Sequence, residues 1–339
     1  MLRATAEKKI LNFKRPAGTS RGILTEKLCW IIKIWDDAIP DTKGIGEASV
    51  IKTLSPEWSS SYESKLEEVI QKIDSHAETN FEDLKEFPSI RFGCEMAMID
   101  LESGAKQEYF KSPFTKGEQG ITINGLIWMG EKSFMFDQIK SKLDTGFNCV
   151  KLKIGAIDFN EEVDLLKYIR SQFSSNEVEL RVDANGAFDP STALEKLKTL
   201  SDFELHSIEQ PIKQGQWPKM AELCAQTPLD IALDEELIGI TSQYERDQML
   251  SAIKPQYIIL KPSLLGGFKA SDEWIELAEK LDVKWWITSA LESNIGLDAL
   301  AQYTFTKGSK LPQGLGTGQL FTNNFESDLI IKGDELYHH

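Results

Sequence analysis

Lys151-Leu152-Lys153 opens a series of charged residues from which the fold of this chain can be inferred. The later members each close a short apolar run, and they are Asp183, Glu209, Asp234 and Lys261. Successive members from Lys153 onwards are 30, 26, 25 and 27 residues apart. One strand, one helix and two loops need about 25–30 residues, so the spacing predicts a repeating βα unit. The strands of a closed parallel barrel all end at one face, so three carboxylates and at least two lysines are expected at one mouth.

The first 110 residues have a different pattern, which predicts a small α+β unit ahead of the barrel. Partial alternation predicts strands over 3–13, 28–35 and 45–51, and apolar residues at helical spacing predict helices over 60–75 and 89–101. The polar, glycine-containing segment 14–22 is predicted to be a mobile loop. Barrel strands are expected from 121–128 onwards, with a weak eighth strand over 313–315.

The composition limits the function classes. The net charge is −15 and the sequence pI is about 4.9, which argues against nucleic acid or a membrane surface as a partner. A few lysines and a metal ion still allow a small anionic substrate. The four cysteines form no Cys-x-x-Cys pair, and no signal peptide or run of about 18 apolar residues is seen, so a cytoplasmic location is expected. The oligomeric state is left open, with a homo-oligomer as one alternative, and so is the origin of the terminal histidine pair.

The carboxylates and lysines at the predicted mouth suit proton abstraction beside a metal ion. Residues two apart on a strand share a face, so Lys151 and Lys153 both point into the barrel. Asp183, Glu209 and Asp234 come from consecutive strands and suit Mg²⁺, with Mn²⁺ as an acceptable substitute. Asn185 and Glu235 lie just beyond two of these ligands and suit supporting roles.

Lys153 and Lys261 are expected on opposite sides of the mouth, where one acts as the base. A metal ion on a substrate carboxylate and a nearby ammonium both stabilise the enediolate that proton abstraction produces. Lysine is an adequate base when neighbouring cations lower its pKa towards roughly 7–8. Arg181 shares the inner face with Asp183 and is either a buried pairing residue or a substrate contact. His206 precedes the strand tip and is expected to be structural.

With these residues the chain resembles the enolase superfamily, in its muconate-lactonizing branch. The motifs that carry the resemblance are Lys151-Leu-Lys153, Asp183-Ala-Asn185-Gly, Glu209-Gln-Pro, Asp234-Glu235 and Lys261-Pro. The resemblance implies an α/β fold, a modified TIM barrel (β/α)7β with an N-terminal α+β capping domain. It divides the chain into a capping domain at 1–115 with substrate-specificity loops, a catalytic barrel at 120–316, and a tail at 317–339 that packs back on the capping domain. The specificity loops are expected near 19–24 and 56–61.

Within this branch the chain is most similar to the o-succinylbenzoate synthases of menaquinone biosynthesis. The supporting stretches run over 19–25, 261–267, 289–293 and 314–317. The resemblance implies a magnesium-dependent carbon–oxygen lyase that performs a syn dehydration of a succinyl-hydroxycyclohexadiene carboxylate. Lys153 then takes the proton α to the ring carboxylate, Lys261 stabilises the product of that step, and the three carboxylates hold the metal. The substrate contacts it suggests are Ser20, Arg21, Arg181, Ser289, Glu292, Gly316 and Thr317; Ser289 also suits a helix cap.

Two alternatives stay open at this point. A dipeptide epimerase or N-acylamino acid racemase on the same scaffold would use Lys153 and Lys261 as opposed bases on one carbon. Dipeptide epimerases of this kind carry an Asp-x-Asp pair after the last strand, whereas this chain has the acid-free stretch 314–318. A non-catalytic barrel is disfavoured because every charged strand-end residue is present.

Overall fold

The N-terminal part of the chain forms an antiparallel sheet covered by helices. The computed structural model describes residues 1–19, 22–75 and 81–339. Strands β1 (Leu2–Thr19), β2 (Gly22–Asp36) and β3 (Lys43–Val50) pair in that order, and we call them the capping sheet. Helices α1 (Tyr62–Asp74) and α2 (Pro88–Glu102) pack against it, with a 3₁₀ turn at Phe81–Leu84 between them. The apolar faces of both helices and of the sheet enclose a hydrophobic core of their own.

The prediction of a mobile loop over 14–22 is wrong. Strands β1 and β2 continue through most of that segment as a two-stranded ribbon, in which Ala17 pairs with Leu24 and Gly18 with Ile23. The pairing register shifts between Asn12 and Ala17, where Pro16 has no N–H to donate. Polar residues and a proline are tolerated in this ribbon because the ladder is already interrupted there, as at a β-bulge.

The second part of the chain alternates strands and helices. A parallel seven-stranded sheet has the order β11-β10-β9-β8-β7-β6-β5. Its strands are β5 (Gly125–Ile127), β6 (Cys149–Lys153), β7 (Glu179–Asp183), β8 (Ser207–Glu209), β9 (Ile231–Leu233), β10 (Tyr257–Leu260) and β11 (Lys284–Ile287). The helices between and after them are α3 (Lys132–Asp144), α4 (Phe159–Gln172), α5 (Ala193–Ser201), α6 (Trp217–Gln226), α7 (Gln243–Ile253), α8 (Pro262–Leu265), α9 (Gly267–Lys280) and α10 (Asn294–Thr306). A 3₁₀ turn at Glu235–Leu237 follows β9.

These elements confirm the predicted fold class, an α/β modified TIM barrel with an N-terminal α+β cap. Two details differ from the prediction. The expected first strand over 121–128 is divided, because Ile121–Thr122 forms a separate strand, β4, and only Gly125–Ile127 joins the barrel. The eighth strand over 313–315 is reduced to single bridges, Ile123 with Gln313 and Thr288 with Gly314, which link the two edges of the sheet.

The C-terminal residues contact both parts of the chain. Near the capping sheet, the backbone N–H of Thr322 donates to the carbonyl of Asn12 at 2.8 Å. Strands β12 (Leu329–Lys332) and β13 (Glu335–His338) then form a hairpin, and β13 pairs antiparallel with β4. Leu336 on β13 is buried in the same hydrophobic core as the barrel helices. Among the helices of the described part of the chain, none combines the length and apolar character required to cross a membrane.

Candidate active site

A cavity lies at the carboxyl ends of the barrel strands, beneath the capping sheet. Five of its lining side chains belong to the predicted charged and polar series: Lys151, Lys153, Asn185, Glu235 and Lys261. The capping part contributes Leu24, Ile51, Thr53 and Leu54. The cavity is therefore enclosed by two parts of the chain, with the charged groups at the barrel side and mainly apolar groups at the cap side.

The strand register places the charged side chains next to one another. Lys153 pairs across the sheet with Asp183, and Asp183 pairs with Glu209. Lys153 Nζ donates to Asp183 Oδ2 at 2.8 Å and to Asn185 Oδ1 at 2.7 Å. Lys151 Nζ donates to Glu209 Oε2 at 2.5 Å and lies 3.1 Å from Asp183 Oδ2. The predicted convergence of these side chains at one mouth is thus present.

The far side of the mouth carries a second lysine–carboxylate pair. Lys261 follows β10, and its ammonium donates to Asp234, which follows β9. Strands β7, β8 and β9 separate β6, which carries Lys153, from β10. The amines of Lys153 and Lys261 therefore approach the cavity from opposite sides.

The electrostatics of the mouth are those of a tightly packed group of like and unlike charges. Burial raises the pKa of Glu209, and the facing Asp183 carboxylate raises it further, so that it lies well above its usual range. Burial also disfavours ionised Asp183, but the ammonium groups of Lys153 and Lys151 outweigh burial and lower the pKa of Asp183. Burial disfavours charged Lys151, yet Glu209 and Asp183 outweigh it and raise the pKa of Lys151. Additional positive charge beside Glu209 would stabilise its ionised form.

The carboxylates have the chemistry of a divalent-cation site. Glu209 Oε1 is buried and has no hydrogen-bond partner among the described residues, and its neighbours Asp183 and Asp234 are also acids. Buried carboxylate oxygens are seldom left unpaired, and Mg²⁺ prefers such ligands. Across residues 1–19, 22–75 and 81–339, no group of three His, Cys, Asp or Glu side chains is arranged as a metal site. The three carboxylates instead contact lysine ammonium groups, so the donor types fit a divalent cation while lysines balance their charge.

Comparison with known proteins identifies the family. The model of the family described as "Enolase C-terminal domain-like" matches residues 135–333. An o-succinylbenzoate synthase from Desulfotalea psychrophila is 52% identical over 96% of this chain and 96% of its own length. The chain belongs to the o-succinylbenzoate synthase family of the enolase superfamily. The resemblance inferred from the strand-end motifs is therefore confirmed.

Solved structures of the enolase superfamily share the architecture. The crystal structure of MenC from Desulfotalea psychrophila superposes with a TM-score of 0.88 at 44% identity, covering 99% of each chain. A dipeptide epimerase from Enterococcus faecalis, complexed with Mg and the dipeptide L-Leu-L-Tyr, superposes with a TM-score of 0.81 at 17% identity, covering 99% of each chain. The epimerase shows that the shared fold accommodates magnesium in a relative.

Several residues named from the enolase superfamily motifs lie at the cavity. Ser289, Gly316 and Thr317 line it, and the hydroxyls of Ser289 and Thr317 are 2.6 Å apart. Asn185 links the two sides of the barrel mouth, because its Nδ2 donates to Glu235 Oε1 at 3.1 Å while its Oδ1 accepts from Lys153. Ser20 and Arg21 fall outside the described residues.

Two of the suggested substrate contacts are placed elsewhere. Arg181 is buried below the cavity, where it donates to Glu179 Oε1 at 2.7 Å and to the carbonyl of Pro312 at 3.0 Å. Its guanidinium also stacks on Trp286, so the pairing role accounts for its contacts. Glu292 is fully buried and bonded to Ser263 and to the backbone of Ala290 rather than facing the cavity.

The cap lines the cavity with part of one expected loop and with a segment that was not expected. Leu24, at the end of the expected loop 19–24, lines the cavity. The other expected loop, 56–61, does not, and Ile51, Thr53 and Leu54 line it instead. Asn124 and Trp128 also line it and were not singled out from the sequence. Both lie within the predicted strand 121–128, two residues either side of Leu126, which also lines the cavity. Strand alternation was therefore an available signal for them.

Proposed function

We propose that this protein is an o-succinylbenzoate synthase, which dehydrates a succinyl-hydroxycyclohexadiene carboxylate in menaquinone biosynthesis. The family assignment rests on 52% identity over nearly the whole chain. The structural observation that supports the chemistry is the pair of amines, Lys153 and Lys261, on opposite sides of one cavity beside three carboxylates. The chain is proposed to function as a capping domain at 1–115, a catalytic barrel at 120–316 and a tail at 317–339.

Lys153 is proposed as the base that removes the proton α to the ring carboxylate. Its hydrogen bonds to Asp183 and Asn185 fix the position of Nζ at the cavity wall. The same amine, once protonated, is proposed to return the proton to the departing hydroxyl from the same face, as a syn elimination requires. Lys261 stabilises the negative charge that develops across the ring. Loss of water gives an aromatic ring, which makes the second step favourable.

Asp183, Glu209 and Asp234 would hold a magnesium ion, with Mn²⁺ as a substitute. The ion would act as a Lewis acid on the substrate carboxylate and so lower the basicity that Lys153 needs to remove the proton. Asn185 and Glu235 support this arrangement through their mutual hydrogen bond. Lys151 balances the charge of Asp183 and Glu209 from below.

The substrate is expected to be a small anionic carboxylate rather than a dipeptide. Three lysines and a single acid, Glu235, are among the described residues that line the cavity. An α-ammonium group would face these lysines without an acidic partner on the segment 314–318, where Gly314, Gly316 and Thr317 form the wall. Like charges brought together in a confined site are disfavoured by several kcal/mol, on the order of the cost at protein interfaces.

The decisive experiment supplies purified protein with the cyclohexadiene substrate, an Ala-Glu-type dipeptide and an N-succinylamino acid in parallel. Dehydration is expected to have the highest kcat/KM. Dominant epimerisation of the dipeptide, or racemisation of the acylated amino acid, would replace the lyase assignment.

Metal dependence is measured separately. Treatment with EDTA is expected to abolish turnover, and added MgCl₂ is expected to restore it, with MnCl₂ restoring it in part. Turnover that persists in metal-free buffer would remove the three carboxylates as the ligand set.

A further inference from the structure

A cluster of buried charges joins the capping sheet to the barrel. Its members are Lys27 on β2, Glu47 on β3 and Glu292 in the loop after β11, and we call them the interface cluster. Lys27 is 4% exposed, and Glu47 and Glu292 are fully buried. Lys27 and Glu292 are not among the described residues that line the cavity. They contact the loop after β11, which does line it.

Lys27 and Glu292 together hold both backbone groups of Ala290. The Lys27 ammonium donates to the carbonyl of Ala290. The N–H of Ala290 donates to Glu292 Oε2 at 2.8 Å. Since Ser289, Ala290 and Leu291 form one wall of the cavity, this wall is fixed from behind by a residue of the cap and a residue of the barrel.

Glu292 also reaches the segment that carries Lys261. The hydroxyl of Ser263, two residues beyond Lys261, donates to Glu292 Oε1. A single buried carboxylate thus connects the turn after β10 with the loop after β11. Movement of this carboxylate would displace both segments relative to the cavity.

Glu47 fixes the start of the helix that follows the wall. It accepts from the backbone N–H of Ser293 at 3.0 Å and of Gly296 at 2.9 Å, and from the hydroxyl of Ser293. These donors lie at the N-terminus of α10, where a carboxylate is favoured by the unpaired N–H groups and the helix dipole. A Cβ at Gly296 would lie 2.9 Å from Glu47 Oε2, so the close approach requires glycine there.

The wall adopts a backbone conformation that needs outside support. Leu291 has φ of 62°, in the left-handed region that a branched apolar residue seldom occupies. Such residues persist where surrounding contacts determine the conformation. The bonds on either side of Leu291, to Ala290 and to Ser293, supply those contacts.

The charges in the interface cluster depend on one another. Burial lowers the pKa of Lys27. Burial also raises the pKa of Glu292, and the positive charge of Lys27 offsets part of that increase. A buried ion whose partner is removed is strongly destabilised, whereas the intact group tolerates burial. Removal of either partner is therefore expected to weaken the contact between the cap and the barrel wall.

We propose that Lys27 and Glu292 are positioning residues that hold the wall 289–291 and the turn after Lys261 against the capping sheet, so that substrate binding depends on this contact. This inference rests on the proposed function. Because Ser289, Ala290 and Leu291 line the cavity, a substrate bound there would meet this wall in the ground state and in the transition state, and displacement of the wall would weaken binding in both. Such a loss raises KM more than it lowers kcat.

The test compares Lys27→Met with Arg246→Met. Arg246 is a matched control, because it is 2% exposed, pairs with Glu273 between outer helices α7 and α9, and does not line the cavity. We expect Lys27→Met to raise KM for the cyclohexadiene substrate by about tenfold or more, with a smaller fall in kcat. Arg246→Met is expected to lower Tm while keeping the wild-type KM. An unchanged KM in folded Lys27→Met overturns the inference.

Glu292→Gln carries the test if Lys27→Met does not fold. Glutamine retains the shape and much of the hydrogen bonding but removes the charge, and a raised KM is again expected. In the double variant Lys27→Met/Glu292→Gln, the increase in KM should be smaller than the product of the two single effects, because the residues act through one contact. A wild-type KM in Glu292→Gln, or purely multiplicative effects, contradicts the proposal.

Hydrogen–deuterium exchange separates this inference from the proposed function. If the wild-type protein does not turn over the cyclohexadiene substrate, the functional proposal fails. The positioning role is then measured directly by exchange in 288–293, which should be at least about tenfold faster in Lys27→Met than in wild type or Arg246→Met. Equal protection of this segment in all three proteins overturns the positioning role.

Discussion

Lys153 is the residue on which the proposed chemistry depends most directly. Replacing it with alanine removes the amine held by Asp183 and Asn185 but leaves the barrel strand intact. We expect Lys153→Ala to lower kcat by about 10²–10⁴-fold, the usual contribution of a positioned general base. Steady-state kinetics with the cyclohexadiene substrate measures this loss.

The control for this substitution is Lys132→Ala. Lys132 is a surface lysine paired with Asp164 at 2.9 Å. Its replacement by alanine should leave kcat unchanged. Circular dichroism is expected to be the same for both variants. Appreciable turnover by folded Lys153→Ala would transfer the role of base to another residue.

The buried imidazole of His206 is expected to make the folded protein less stable in acid. It lies inside the lower part of the barrel, with Nδ1 3.0 Å from Ser207 Oγ and its ring against Tyr257. Burial lowers the pKa of His206 to about 4, below the usual value of 6.5. The unfolded chain therefore binds a proton first, so this contribution to stability is present above pH 6.5 and is lost as the pH falls towards 4. His206→Gln should reduce the loss of unfolding free energy between pH 7.5 and 5 by about 2 kcal/mol.

Urea unfolding at the two pH values measures the effect, and His338 supplies a control of opposite sign. The Asp298 carboxylate, 3.5 Å from His338 Nε2, raises the pKa of His338. The contribution of His338 to stability is therefore present at low pH and is lost as the pH rises through the folded-state pKa. His338→Gln should therefore increase the loss of stability in acid. The same pH dependence in wild type and His206→Gln would contradict the assignment.

At the level of single residues, strand ends were predictable and irregular segments were not. Lys153, Asp183 and Lys261 were located by alternation and by the βα spacing, both of which follow from backbone geometry. Ile51 and Thr53 line the cavity from the loop after β3, whose conformation depends on contacts distant in sequence. Alternation predicts that Arg181 points into the barrel, but it does not give the depth of the side chain, so the sequence is compatible with both a pairing role and a substrate contact.

Strand β3 and helix α2 approach each other unusually closely. Gly46 on β3 has no room for a Cβ, which would lie 1.9 Å from the carbonyl oxygen of Gly93 on α2. The substitution Gly46→Ala forces the two elements apart and is expected to cost about 1–3 kcal/mol of unfolding free energy. Chemical denaturation measures this difference.

Gly18→Ala is the matched control in the same sheet. A Cβ there meets the carbonyl oxygen of Met129 at 3.4 Å, which is an ordinary contact. Its effect is expected to stay within about 0.5 kcal/mol. Equal effects of the two alanines would show that the packing of α2 on β3 is not what limits residue size.

At the level of elements, helices and strands with clear periodicity were predictable. Helix α2 was expected over 89–101 and spans Pro88–Glu102. The ribbon at the end of β1 and β2 was not, because Pro16 and Gly18 are typical of loops. Pairing between β1 and β2 stabilises an extended conformation that the local sequence does not favour.

The C-terminal hairpin ties the end of the chain to the barrel. Leu336 is 2% exposed and lies in the main core, whereas Ile331 on the partner strand is 38% exposed. We expect Leu336→Ala to reduce the unfolding free energy by about 2–5 kcal/mol, and Ile331→Ala to change it by less than about 0.5 kcal/mol. Thermal and urea unfolding of both variants measure the contrast. Similar losses would mean that the hairpin does not contribute through burial.

At the level of the whole molecule, the architecture could be inferred but its closure could not. The regular spacing from Lys153 to Lys261 indicated a parallel barrel. The bridge between Thr288 and Gly314, which stands in place of the eighth strand, depends on glycine, because a Cβ at Gly314 would lie 2.0 Å from Thr288 Oγ1. Such a close contact has no signature in the local sequence. The segment Ile51–Leu54 was likewise placed at the cavity by the docking of the cap on the barrel.

The cavity wall is shared between two parts of the chain, the cap and the barrel. Leu24 and Leu54 come from the cap, whereas the lysines and acids come from the barrel. Substitutions at the cap positions therefore reshape the space around a substrate without altering the reacting groups or the packing of the strands that carry them. Natural selection can in this way retune which carboxylate is accepted while inheriting the proton-transfer apparatus unchanged.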